Sequence, residues 1–255
     1  MTAPTDERTP VTTGKDIPPG LVPRSDPARS IALRSEPTAL STRVLEDRRL
    51  IHPADSVRRQ ADAFRELRTR LLALGGDRNF VTLVVPVSTG SGGSFVARNL
   101  AAAFAFDDSK TALLVDCDAR YPAQHTALQV DDREGGLIDY LDNAEVDLAS
   151  AIYPTGIPRL QLMPIGRRRE ATDESFSSFR MRAMIDSLRS QNPDRYVILD
   201  GPSVEGSPDA RILSGLADLV VLVAGYGRNT PEAIEAAAES FPPEKLAGIV
   251  FNQNL

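Results

Sequence analysis

Phe80-Val81-Thr82-Leu83-Val84-Val85-Pro86-Val87-Ser88-Thr89-Gly90-Ser91-Gly92-Gly93-Ser94 is the stretch that decides the fold. Residues 80–86 form a short apolar, β-rich run, as expected for a strand buried on both faces. The glycine-rich turn after it opens directly on a helix predicted over 94–106. A strand, such a turn and a helix N-terminus together make an anion site, because unpaired N–H groups converge and the helix dipole adds partial positive charge. A tight strand-to-helix connection without a ligand has the same outline, so the turn alone decides nothing about binding. In a working Walker A loop the sequence closes on Gly-Lys-Ser/Thr, and the lysine neutralises the β/γ-phosphates. Here Gly93 holds the lysine position, while Ser94 remains in place to reach a magnesium ion.

Outward from this turn the pattern stays regular. Upstream, 56–74 reads as a helix with Phe64, Leu67, Leu71 and Leu72 at helical spacing, stopped by Gly75-Gly76. Downstream, strand-like runs recur at 112–117, 160–165, 196–200, 219–224 and 248–252. Helical stretches over 175–190, 208–216 and 230–241 separate them. Strands alternating with helices call for a doubly wound, mainly parallel α/β sheet covered on both faces. Ligands then bind at the carboxyl ends of the strands.

Two further strand ends carry chemistry. Leu113-Leu114-Val115-Asp116-Cys117-Asp118 ends in carboxylates two residues apart, which point to the same side of a pleat. Two carboxylates placed together repel, so a bound cation or a cationic side chain is the usual reason for the arrangement, though solvated strand-end acids look the same. Tyr196-Val197-Ile198-Leu199-Asp200 likewise ends an apolar strand in Asp, as a Walker B strand does when it holds magnesium through water. Each signal is weak alone; three at strand ends of one α/β pattern reinforce one another. The expected metal-binding set is Ser94, Asp116 and Asp200, with Asp118 as a further catalytic carboxylate.

Residues 1–54 have another character. They hold eight of the 19 prolines among Thr, Ser and Arg, a mixture that buries too little apolar surface to repay its ordering entropy. They read as a flexible tail before a domain over 55–255, with residues 31–51 the part able to dock on a partner. The N-terminus lacks the apolar stretch of a secretory signal. No apolar run approaches the roughly 20 residues that span a bilayer. The single cysteine excludes an internal disulfide framework and suits a reducing compartment, so a cytoplasmic protein is expected. The formal charge of −6 gives no overall attraction to nucleic acid. Three of the 29 basic residues are lysines (Lys15, Lys110 and Lys245), so few can stand in for the one missing at Gly93. No replacement cation is evident near the loop; Arg98 lies about a turn into the following helix.

In this order, the motifs resemble those of the bacterial tyrosine autokinases (BY-kinases, CpsD/CapB-like) of capsule and exopolysaccharide synthesis, over about residues 47–255. Asp62-Ala63-Phe64-Arg65-Glu66-Leu67-Arg68 is similar to the family's E-x-x-R-x-x-R helix, with Asp62 in the Glu position. Gly90-Ser91-Gly92-Gly93-Ser94 stands where the family has G-E-G-K-S/T. Val115-Asp116-Cys117-Asp118-Ala119-Arg120-Tyr121-Pro122 resembles V-D-x-D-x-R-x-P, and Ile198-Leu199-Asp200-Gly201-Pro202 parallels Walker B. The resemblance implies a P-loop NTPase-like domain that binds ATP and magnesium and forms rings through Asp62, Arg65 and Arg68. It also implies pairing with a chain-length-determinant (polysaccharide co-polymerase) protein of the inner membrane, which would hold the chain peripherally at that membrane. By the residues alone, 62–70 is equally an amphipathic helix with a solvated face.

Two departures bear on activity. Losing the lysine removes charge-assisted contacts of about 1.5–3 kcal/mol each, and catalysis suffers further because charge develops on the transferring phosphoryl group. The resemblance also implies a tyrosine-rich C-terminal tail. The five tyrosines here (Tyr121, Tyr140, Tyr153, Tyr196 and Tyr226) are not clustered, and Tyr196 reads as structural. A pseudokinase subunit supporting polysaccharide polymerisation or export is the first expectation. An active autokinase or ATPase with a cation supplied by a neighbouring subunit is the second. A Min- or Par-type partitioning ATPase is the third; that class carries a lysine early in the loop, where Ser88 stands. Cys117 reads as a small core residue, His52 and His125 lack partners at zinc-ligand spacing, and Arg167-Arg168-Arg169 reads as a solvated loop.

Overall fold

A computed structural model describes residues 39–52, 58–76, 78–167 and 173–253. Within them a seven-stranded sheet is built from β1 (Val81–Pro86), β2 (Thr111–Asp116), β3 (Tyr153–Pro154), β4 (Leu160–Met163), β5 (Arg195–Asp200), β6 (Leu219–Gly225) and β7 (Leu246–Asn252). Their order is β3-β4-β2-β5-β1-β6-β7. All neighbours run parallel except the β3/β4 pair at one edge. The apolar runs read from sequence are therefore strands whose two faces feed two separate cores. Along β1, Val81, Leu83 and Val85 enter one core and Val84 the other, which is the period-2 alternation of a pleat.

One face is covered by α2 (Arg58–Gly75) and α3 (Gly93–Ala105), following α1 (Thr42–Asp47). Ala61, Phe64 and Leu71 of α2 bury their side chains there, beside the nearly all-apolar α3. Phe80, Phe104 and Tyr196 form an aromatic trio in this core, with Phe104 and Tyr196 stacked at 4.5 Å between ring centroids. The opposite face carries α5 (Leu137–Asp142), α6 (Asp173–Ser177), α7 (Phe179–Gln191), α8 (Asp209–Ser214) and α9 (Pro231–Ala238). A short α4 (Gln124–Ala127) follows β2. No described helix is long and apolar enough to cross a membrane.

Three expectations change. The helix expected over 175–190 is broken at Ser178, whose Oγ accepts the Met181 N–H at 3.1 Å and caps α7. The helix expected from residue 56 is described from Arg58, since 53–57 lie outside the described residues. Of the expected flexible tail, residues 39–52 pack on the domain. Leu50 and Ile51 are buried against α3. The Ile51 N–H donates to Asn99 Oδ1 at 2.8 Å, and Asn99 Nδ2 donates to the Arg49 carbonyl at 3.1 Å. Composition averaged over 54 residues concealed a two-residue apolar anchor. Residues 1–38 lie outside the described ones, as do Arg168 and Arg169.

Candidate functional site

The site lies at the carboxyl ends of β1, β2, β5 and β6. Gly90 and Gly92 sit at φ 83° and 90°, in the left-handed region that glycine enters without steric cost. Gly92 caps α3 with no side-chain acceptor. Among the described residues the N–H groups of Gly93 and Ser94 have no partner. The loop is held from behind. Asn229 Nδ2 donates to Ser88 Oγ at 2.7 Å, Ser91 Oγ donates to Asn229 Oδ1 at 2.8 Å, and Asn252 Nδ2 donates to the Ser91 carbonyl at 3.1 Å.

Gly93 is more than a missing charge. A Cβ built there would lie 2.6 Å from Pro86 Cδ and 2.9 Å from Cγ, closer than real side chains approach a rigid ring. The pyrrolidine at the end of β1 thus fills the place where a lysine side chain would begin.

The carboxylates meet through the sheet register. Asp116 and Asp200 are direct partners on β2 and β5, and both are fully buried. Asp116 Oδ1 accepts from the Asp118 N–H at 3.1 Å and Oδ2 from the Gln124 N–H at 3.2 Å. Burial, and then the Asp200 charge, hold the Asp116 carboxyl well above the usual carboxylate range. Burial pushes Asp200 up to about 7, against the opposing hydrogen bonds from Gln124 and Ser94. Asp118 instead shapes the backbone. Its Oδ1 accepts the N–H groups of Arg120 and Tyr121, each at 3.0 Å, and so closes the turn after β2.

Gln124 joins these parts. Its Nε2 donates to Asp200 Oδ2 at 2.6 Å and to the Ser94 carbonyl at 3.0 Å. Among the described residues, Asp200 Oδ1 and Gln124 Oε1 are buried without a hydrogen-bond partner. Two orphaned acceptors beside the Ser94 backbone suit a divalent cation with its waters. Ser94, Asp116 and Asp200 are the residues present to hold it.

The structure thus brings Gly90, Ser91, Gly92, Gly93, Ser94, Asp116 and Asp200 to one place, with Asp118 at its margin. Asp62, Arg65 and Arg68 lie apart from it on α2. Arg65 pairs with Asp62 at 3.1 Å, both exposed, while Arg68 donates to the Ala103 carbonyl at 2.7 Å within its own chain. The expectation that no cation stands near the loop is corrected twice. Arg98 donates to the Ser94 carbonyl at 3.3 Å, and its charge acts on Asp200. Arg228, after β6, lays its guanidinium over Gly90. Pro86, Gln124, Arg228 and Asn229 were not singled out from sequence; only the Gly225-Tyr226-Gly227-Arg228 turn at a strand end offered a signal.

Comparison with known proteins agrees with this geometry. No protein-family model matches the chain. Tyrosine-protein kinase CpsD of Streptococcus agalactiae is 29% identical over 205 residues, covering 78% of this chain and 87% of the relative. Tyrosine-protein kinase wzc of Salmonella typhimurium is 32% identical over 196 residues, 75% of this chain but 26% of that protein. The kinase domain of the Escherichia coli tyrosine kinase ETK superposes with a TM-score of 0.73 at 25% identity, covering 86% of this chain and 82% of that one. Over most of its length the chain is similar to BY-kinases. The fold alone is shared more widely. The septum site-determining protein MinD of Pyrococcus horikoshii, solved with Mg-ADP, matches with a TM-score of 0.56 at 21% identity over 68% of each chain. This chain combines the sheet with the loop glycines and the paired strand-end aspartates. The loop residue before Ser94 is a glycine backed by a proline ring.

Proposed function

We propose that this chain is a catalytically impaired BY-kinase-family subunit that senses nucleotide and supports surface-polysaccharide polymerisation or export. Through a chain-length-determinant partner it would sit at the cytoplasmic face of the inner membrane, self-associating by way of Asp62, Arg65 and Arg68. The observation that carries the reading is the Pro86–Gly93 contact: the site has given up the side chain that neutralises transferring phosphate and filled its starting point. The retained glycines and the Asp116–Asp200 pair support continued binding of a nucleotide with magnesium, weaker than in a lysine-bearing loop. The magnesium would supply positive charge against the phosphates; Ser94 and the two aspartates would hold it, and Gln124 would orient Asp200.

The test combines calorimetric titration of ATP and ADP, with and without magnesium, with phosphotyrosine and phosphate-release assays on the same protein. Binding without turnover is the expected result. Turnover that Asp116→Ala and Asp200→Ala both abolish would overturn it and restore the autokinase or ATPase reading. A second experiment asks whether the cytoplasmic segments of a chain-length-determinant protein from the same operon bind the chain, and whether Arg65→Glu shifts its sedimentation toward monomer. The partitioning-ATPase reading has no observation of its own beyond the shared fold.

A further inference from the structure

We propose that Arg228 is the cation of the phosphate loop, replacing in the same chain the charge absent at Gly93, with the polyphosphate of a nucleotide as its ligand. The proposal deepens the nucleotide-site reading above and rests on it.

Arg228 is seated on two glycines. A Cβ at Gly225 would meet Arg228 Cβ at 3.2 Å and Cδ at 3.4 Å, so the arginine stem lies across that residue. A Cβ at Gly90 would meet Arg228 Nη1 at 3.1 Å and Cζ at 3.3 Å, so the guanidinium lies across the loop. The left-handed φ at Gly90 already calls for glycine. Gly225 is not in that region, and its need is steric: a Cβ there would also press on Ser91 Cα at 3.3 Å. Both residues leave room for an arginine to cross the loop.

The seat is fixed relative to the loop. The N–H groups of Arg228 and Asn229 both donate to the Gly225 carbonyl, at 3.0 and 3.1 Å. The next side chain, Asn229, bonds Ser88 and Ser91 of the loop itself. Yet the guanidinium is little used. Its one hydrogen bond is Nη1 to the Thr89 carbonyl at 3.5 Å, and among the described residues no carboxylate pairs with it. An exposed cation held over a glycine-rich loop, beside the unpaired N–H groups of Gly93 and Ser94, complements an anion with several oxygens. The buried, unpartnered Asp200 Oδ1 on the far side of Ser94 supplies the independent pointer, since it suits the metal that accompanies a polyphosphate and not a lone anion. Arginine also suits the position better than lysine would, because its planar fork can hold two phosphate oxygens at once. Arg98 does not serve in this way: its charge acts on Asp200 from within α3.

The experiment titrates wild type, Arg228→Gln and Arg228→Lys with ATP, ADP, inorganic tripolyphosphate and adenosine, in magnesium. Arg228 is exposed, so equal melting temperatures verify that the variants fold. The expected result is that Arg228→Gln weakens ATP and tripolyphosphate about 10- to 100-fold, as for loss of a charge-assisted contact. Arg228→Lys should weaken them less, and adenosine should be unaffected. Arg228→Gln binding ATP as wild type does would refute the role of Arg228 and leave the nucleotide site standing. Tripolyphosphate bound as tightly as ATP, with the same loss in Arg228→Gln, would uphold the arginine and overturn the nucleotide. Wild type binding neither ligand would overturn both.

Discussion

At Gly93 the smallest residue and a rigid ring explain each other. With Pro86 Cδ standing 2.6 Å from the position of a Cβ, restoring the lysine alone forces an overpacked contact. Overpacking of this kind costs about 1–3 kcal/mol. Gly93→Lys is therefore expected to melt below wild type and to gain little affinity for Mg-ATP. Pro86→Ala combined with Gly93→Lys removes Cγ and Cδ and should recover both stability and affinity. A double-mutant cycle of melting and titration reads the coupling, and a Gly93→Lys protein as stable as wild type would contradict the contact. From the sequence, Gly93 stands out because it sits inside a motif. Pro86 does not, because nothing in a chain announces which ring will meet which Cα across a turn.

The buried carboxylates make a pH prediction at the same scale. In the folded protein Asp200 titrates near 7, against about 3.9 in an unfolded chain. The unfolded state thus loses its proton first, and stability falls as pH rises from about 4 to about 7, then levels off. Burial of Asp116 acts in the same direction. Asp200→Asn should stabilise the nucleotide-free protein at pH 8 by up to a few kcal/mol while changing little at pH 4, as urea titrations at the two pH values would show. Magnesium favours the ionised pair, so Mg-nucleotide should bind more tightly at pH 8 than at pH 6 and release protons on binding. Affinity that does not vary over this range would count against the cation site at Asp116 and Asp200.

At the scale of elements, Asn99 and Gln60 hold the strap over 49–52, Gln60 Nε2 donating to the Arg49 carbonyl at 3.0 Å. Asn99, fully buried on α3, satisfies the Ile51 N–H and the Arg49 carbonyl together. Asn99→Leu leaves the Ile51 N–H unpaired and should cost about 1–3 kcal/mol, with fast amide exchange and early proteolysis confined to the strap. Leu50→Ala should cost about 2–4 kcal/mol by cavity formation. Six of the seven strands were readable as short apolar runs; β3, two residues long, was not. The strap and α4 were not: four residues such as Gln124–Ala127 show no periodicity, and their place depends on contacts made to β2 and β5.

For the whole molecule, the doubly wound sheet was legible from alternation alone, and with it the end at which a ligand would bind. The in-register meeting of Asp116 with Asp200 follows from the strand order, which the chain does not state. Hence the two acids were readable as candidates, while Gln124, which bridges Asp200 and Ser94, was not. The second face offered from sequence, Asp62 with Arg65 and Arg68, divides in three dimensions. Arg68 is committed to Ala103, whereas Asp62 and Arg65 pair with each other at the surface. In sedimentation, Arg65→Glu should therefore weaken self-association more than Arg68→Gln, while Arg68→Gln should lower the melting temperature more.

Between the two aspartates of the β2 end lies Cys117, the chain's only cysteine, fully buried, its thiol pushed well above the usual range by burial and then by Asp116. Such a sulfur is inert while the sheet end stays shut. Its rate of alkylation is therefore a stopwatch for opening of the phosphate-loop end, built into the native sequence and free of background from any second thiol. Ligands that clamp the loop should slow that stopwatch, and no label need be introduced to read it.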